Sequence, residues 1–316
     1  MGKQHAWVIL GVLIVLGCGG STATRSQIAS GGAGATEANS RTKIVLLGTG
    51  TPNADPDRSG PAVAIVVDST SYLIDLGPGV VRRAAEAYEV GINGLQPSKL
   101  RTAFITHLHT DHTLGYADFI FSAWVLERDV PAEVFGPRGL QEMTDHLLAA
   151  YEQDIRVRID GLEPANTEGY KVNVYEIQPG LVYEDDLVMV TAFPVEHGAW
   201  SQAFGYRFDT VDRSIVISGD TRPSPSIIDA CSGCDVLIHE VYAQAGFDRR
   251  EPVWQTYHAS SHTSGPELGR IAAAADPGLL ILYHQLLWGA TPEEVVEEIK
   301  VNFNGAIAYG NDLDVF

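Results

Sequence analysis

Three imidazoles and a carboxylate fall within six consecutive residues, His107-Leu108-His109-Thr110-Asp111-His112. They follow a β-like run from Leu100 to Thr106. Alternate side chains of an extended chain share a face, so His107, His109 and Asp111 are expected to point one way. His112 is then expected to turn in as the chain swings into a helix. Neutral imidazole and carboxylate are ligands for Zn, Mn or Fe. The cluster holds more ligands than one ion with an open catalytic position needs, which points to two ions. The alternative is a chance His-rich turn, and clusters of this density seldom arise without a metal. Three more residues carry ligand chemistry: His197 in Pro194-Val195-Glu196-His197-Gly198, Asp220 in Ser218-Gly219-Asp220-Thr221, and His284 in Leu282-Tyr283-His284. Alone, each such residue is more often structural. Together with the first cluster they form a set.

Elements must bring these positions to one place. From Thr42 onward, short β-branched runs alternate with helical stretches. Residues 43–47, 62–67, 71–75, 131–135, 172–178, 187–193, 204–208, 214–218, 236–238 and 279–283 read as strands. Helices are expected over 80–88, 114–127, 139–151, 265–275 and 292–302. Asp220, His239-Glu240 and His284 then sit at the C-terminal ends of buried strands, where the sites of layered α/β folds gather. The fold class is therefore α/β, and no repeat of solenoid period occurs.

The chain has 40 acidic and 21 basic side chains, a net charge of −19. Such a balance opposes broad contact with nucleic-acid phosphates. Lys3 precedes an apolar run from Ala6 to Leu16 that ends at Gly17-Cys18. That run is short of the ~20 apolar residues of a spanning helix and reads as a secretory signal over 1–17. A Cys at the cut resembles the bacterial lipoprotein signal, which implies a lipid on Cys18 and an exported, membrane-anchored protein of the periplasm or cell surface. An ordinary signal peptide is the alternative. Residues 18–41, rich in Gly, Ala, Ser and Thr, read as a flexible tether. Residues 42–316 are then the catalytic domain. Cys231 and Cys234, in Cys-Ser-Gly-Cys, either pair in an oxidising compartment or remain inert thiols.

His-x-His-x-Asp-His, followed by His, Asp and His at strand ends, resembles the binuclear pattern of the metallo-β-lactamase-fold hydrolases, from about residue 43 to 316. The resemblance implies a four-layer αββα sandwich. It also implies His107, His109 and His197 on the first metal, Asp111, His112 and His284 on the second, and Asp220 bridging both. Asp75, in Leu73-Ile74-Asp75-Leu76-Gly77, matches the family's buried acid that orients a metal-binding His. Val236-Leu237-Ile238-His239-Glu240 and Ser261-His262-Thr263-Ser264 resemble the Glu and His motifs of the tRNase Z-like group. There His262 would protonate the leaving oxygen, with Glu240 raising its basicity. The alternative for His262 is a surface His near the helix at Gly265.

The tRNase Z enzymes carry a long arm for tRNA between the third His motif and the bridging Asp, and residues 198–219 leave no room for one. Residues 50–61, 162–166 and 257–264 are similar to the arylsulfatases of this fold. The reading is therefore a two-metal hydrolase, Zn first and Mn or Fe next. It cleaves a small anionic ester, most directly an aryl sulfate, by a metal-bridging hydroxide. A phosphodiesterase or ribonuclease Z-like activity comes second. A non-catalytic, metal-binding surface lipoprotein is the reading of another class. Arg249, Arg250, Trp254 and Tyr257 are candidate substrate contacts, with an Arg for the anion and aromatics for the ring. Trp124, Trp200 and Trp288 are candidates to line the mouth. No nucleic-acid partner is expected, and a dimer is the expected assembly.

Overall fold

The computed structural model describes residues 40–316. The signal, Cys18 and the tether up to residue 39 lie outside the described residues. Ser40 and Arg41, read as tether, already bond to Asp212. Among the described residues no helix is long and apolar enough to cross a membrane.

Two mixed sheets face each other. The first runs, in spatial order, β1 (Thr42–Gly48), β2 (Ala62–Val67), β3 (Thr70–Ile74), β4 (Thr102–Phe104), β5 (Ala132–Gly136) and β6 (Val172–Glu176). The second begins at one edge with β7 (Gly180–Glu184), β8 (Val188–Pro194), β9 (Phe204–Thr210) and β10 (Ser214–Ile217). It continues through β11 (Val236–Tyr242), β12 (Leu279–Leu286) and β13 (Ile307–Tyr309). Pairing is parallel from β3 to β6 and from β10 to β13, and antiparallel elsewhere.

Both faces of the central strands are apolar because both are covered. In β2, Val63, Ile65 and Val67 enter the core between the sheets, while Ala62, Ala64 and Val66 enter the core on the other face. That outer face lies under α1 (Val80–Glu89), α3 (Tyr116–Val125) and α4 (Leu140–Ala150). The outer face of the second sheet lies under α6 (Pro225–Cys231), α9 (Gly265–Ala275) and α10 (Pro292–Lys300). Full burial of each large aliphatic side chain contributes about 1.5–3 kcal/mol. Capping boxes, Ser264 with Glu267 and Thr291 with Glu294, start α9 and α10. The result is the four-layer αββα sandwich.

Several elements differ from the sequence expectation. The strand over 100–106 shrinks to β4, and the helix over 114–127 is the shorter α3. A separate turn, α2 (Thr110–Thr113), precedes it within the ligand cluster, with Gly115 before α3. β11 and β12 run past their expected ends, so Glu240 and His284 lie inside strands. The segment between Glu240 and His262 contains α7 (Gln244–Phe247) and α8 (Pro252–Ser261). α5 (Glu152–Asp160), α6, β7 and β13 were not expected. Cys231 and Cys234 are disulfide-bonded at the end of α6.

Candidate metal centre

The expected ligands converge, although not by strand alternation. His107 and His109 lie on the turn after β4, whereas Asp111 and His112 lie on α2. Helical geometry carries Asp111 away from His109 and toward His284. α2 is anchored where Leu76 N–H donates to the His112 carbonyl at 2.8 Å. His197 follows β8 and Asp220 follows β10. His284 reaches the same end from within β12 through a bulge. Glu240 pairs with Tyr283 and Val241 with Gln285, leaving His284 as the extra residue. Its φ of 45° is in the left-handed region, a strain that bulges at functional sites accommodate.

Two half-sites share one carboxylate. His109 Nδ1 lies 3.0 Å from Nε2 of both His107 and His197. Asp111 Oδ2 lies 3.2 Å from His284 Nε2 and 3.5 Å from His112 Nε2. Asp220 Oδ2 stands between them, 4.0 and 3.9 Å from His107 and His197 Nε2 and 3.4 and 3.5 Å from His112 and His284 Nε2. His112 Nε2 and Asp220 Oδ1 are buried without hydrogen-bond partners. Such orphaned atoms each cost about 1–3 kcal/mol, and coordination to a cation removes that cost. The donor set fits a binuclear metal site.

A surrounding layer fixes the imidazoles. Asp75 accepts from Thr106 N–H at 2.8 Å and from its hydroxyl, and it holds His112 Nδ1 at 2.8 Å. The same hydroxyl lies 3.0 Å from His107 Nδ1. Asp75 therefore acts on both half-sites, one directly and one through Thr106. The Ser261 carbonyl accepts from His197 Nδ1 at 2.7 Å, leaving Nε2 for the cluster.

Charge differs between the halves. Burial pushes His109 and His197 down to about 4, and burial followed by His112 holds His107 well below the ordinary value, which favours the neutral imidazoles in that half. Burial also opposes protonation of His112 and His284. There Asp220 leads the groups that raise both imidazoles above the ordinary value. A dication entering that half must displace protons.

His262 and Glu240 adjoin the cluster. α8 ends at Ser261 and leaves His262 as its extended cap, 5% exposed, while Ser264 caps the next helix. His262 Nδ1 is 3.4 Å from Glu240 Oε2 and 3.9 Å from Asp220 Oδ2. It is thus a site residue and not a surface cap. Burial pushes His262 down to about 4, and burial and Asp220 push Glu240 well above the carboxylate range. Glu240 also accepts from Thr263 N–H at 2.8 Å.

A cleft of about 370 Å³ opens over His109 and His197, lined further by Gly198, Ala199, Trp200, Tyr257 and Ser261. The Trp200 indole N–H donates to His109 Nε2 at 2.8 Å. Of the candidate substrate residues, Tyr257 lines this cleft and Trp254 is exposed beside it. Arg249 reaches the Trp288 carbonyl, and Arg250 lies between Trp254 and Trp288. Trp124 does not reach the mouth. It is buried against Tyr170, and its indole donates to the Asn166 carbonyl. Sequence reasoning missed Thr106 as a bridge and the Ser261 carbonyl, because a backbone acceptor leaves no residue-type signal.

A β-lactamase superfamily domain matches residues 70–285. A ribonuclease Z of Mycobacterium marinum is 32% identical over 276 residues, spanning 86% of this chain and 96% of that protein. Among solved structures, the short form of human tRNase Z superposes with a TM-score of 0.65 at 20% identity, covering 87% of this chain and 98% of that one. The metallo-β-lactamase-fold protein YhfI from Bacillus subtilis gives 0.65 at 18%, covering 87% and 99%. The chain belongs to the metallo-β-lactamase superfamily, in its ribonuclease Z-like branch. It is a metal-dependent hydrolase acting on ester bonds. The expected closeness to arylsulfatases finds no support among these relatives.

Proposed function

We propose that this chain is a two-metal phosphodiesterase. One observation carries the reading: six ligand side chains gather around a seventh, Asp220, with His262 of the His262–Glu240 pair against the same carboxylate. When bound, two divalent ions lower the pKa of a shared water and offset charge developing on phosphoryl oxygens. The imidazole-rich donor set suits zinc ahead of manganese or iron.

This chain's residues supply position and protons. Asp220 keeps the half-sites at one spacing, and Asp75 holds His112 and, through Thr106, His107. Burial favours the protonated carboxyl of Glu240 and the neutral imidazole of His262. His262 gives a proton to the departing oxygen, with Glu240 Oε2 3.4 Å from its Nδ1 as the neighbouring carboxyl.

The ribonuclease Z relatives support phosphorus ahead of sulfur, reversing the order expected from the sequence. Residues 198–219 are occupied by β9, β10 and their short connections. With the net charge of −19, that favours a short phosphodiester over a folded tRNA. The test is a panel of bis(4-nitrophenyl) phosphate, 4-nitrophenyl sulfate and a precursor tRNA, given to zinc-loaded protein. The small diester should turn over fastest. Sulfate turnover without diester hydrolysis would restore the sulfatase. Faster tRNA cleavage would replace the short substrate, and bound metal with no turnover would leave a metal-binding protein.

A further inference from the structure

Arg250 is a cation without a carboxylate. In a chain of 40 acidic and 21 basic side chains, it makes no ion pair among the described residues, and its Nε is buried without a hydrogen-bond partner. Its guanidinium carbon lies 5.4 Å from the Trp254 ring centre and 5.2 Å from that of Trp288. Contact with two indoles offsets the charge without taking up the guanidinium as a carboxylate would, so its N–H donors remain suited to an oxyanion.

A second group beside it is also unsatisfied. His258 is 6% exposed, and neither ring nitrogen has a partner. Its ring centre is 4.3 Å from that of Trp288 and 5.6 Å from that of His262. The order of packing is therefore His262, His258, Trp288, Arg250. Two rings, His258 and Trp288, stand between Arg250 and His262 in that order of contacts, which sets Arg250 apart from the ligand cluster. Trp254 at 47% exposure and Tyr257 at 40% carry aromatic surface from this cluster to the cleft.

We propose that Arg250, with Trp254 and Tyr257, forms a subsite for a second anionic group of the substrate. That group is borne on an aromatic ring or base on the leaving side of the scissile ester. The assignment rests on the phosphodiesterase reading for the position of the leaving group. It identifies the substrate as a doubly anionic ester with an aromatic part. Arg249 has no such role, because it is exposed and its Nη2 is turned to the Trp288 carbonyl at 3.3 Å.

The probe is phenylphosphonate, an aromatic oxyanion with no ester to cleave. It is titrated into zinc-loaded full-length protein and followed by tryptophan fluorescence. The wild type should saturate, Arg250→Gln should raise Kd at least tenfold, and Arg250→Lys should fall between. Inorganic phosphate should bind more weakly than phenylphosphonate, and Trp254→Ala should erase that difference. Equal Kd values for wild type and Arg250→Gln would overturn the subsite, as would a wild type that does not respond. Circular dichroism checks the fold of each variant, and if the Gln protein is unfolded the Lys protein decides. Wild-type hydrolysis of bis(4-nitrophenyl) phosphate is measured in parallel. Its absence would sink the phosphodiesterase reading, while the titration still decides whether Arg250 holds an anion.

Discussion

Asp75 and His262 show what single side chains must do here. Asp75 holds a φ of 59° and binds Thr106 and His112 at once. Asp75→Asn replaces an acceptor-only group with one that also donates. Zinc affinity should fall about 10–100-fold, the usual consequence of losing such a partner, as read by competition with a chromogenic chelator. His262→Asn should slow esters with alkyl leaving groups by about 10²–10⁴-fold. The loss should be much smaller for 4-nitrophenolate, which departs without a proton. An equal loss on both substrates would contradict proton donation. The ligands of the six-residue run were legible in the sequence because ligand chemistry restricts residue type and that spacing is local, whereas Asp75 and His262 were reached through the family resemblance. The lowered His262 and raised Glu240 were not legible, since both depend on burial that only the assembled sheets create.

Elements turn those residues into a site by departing from regularity. His284 reaches the cluster through a bulge, and Asp111 and His112 through the single turn of α2. Gly115 makes that turn possible: a Cβ there would stand 2.3 Å from the Gly77 carbonyl oxygen and 2.8 Å from that of Leu76. Gly115→Ala should therefore cost about 1–3 kcal/mol in urea unfolding and lower zinc occupancy together. An unchanged midpoint would show that the 76–77 turn yields freely. The central strands were legible because both faces are apolar. α8 was not, since its only buried residues are His258 and Ser261 and no apolar stripe marks it. β7 and β13 carry no buried residues, which removes the usual strand signal.

At the scale of the whole molecule, the sandwich must hold its two sheets in register for the half-sites to meet. Asp212, in the turn between β9 and β10, accepts from Arg41 N–H at 2.8 Å, from the Ser40 hydroxyl at 2.9 Å and from the Thr42 hydroxyl. It ties the first strand of one sheet to a turn of the other. Burial opposes its ionisation, but these donors, Thr42 foremost, hold it from an ordinary 3.8 down to about 2. A lowered folded value means the carboxylate contributes fully above about pH 3.8 and loses that contribution as pH falls toward 2. The stability gap between wild type and Asp212→Asn should thus shrink across that window in acid-unfolding curves. A gap that widens on acidification would reverse the sign. The central claim is that both half-sites act on one phosphodiester. It is tested most directly by adding zinc stepwise to chelator-stripped protein while following bis(4-nitrophenyl) phosphate hydrolysis. Activity should rise mainly with the second ion and level off at about two ions per chain. Full activity at one ion per chain, or hydrolysis that survives removal of both, would contradict it.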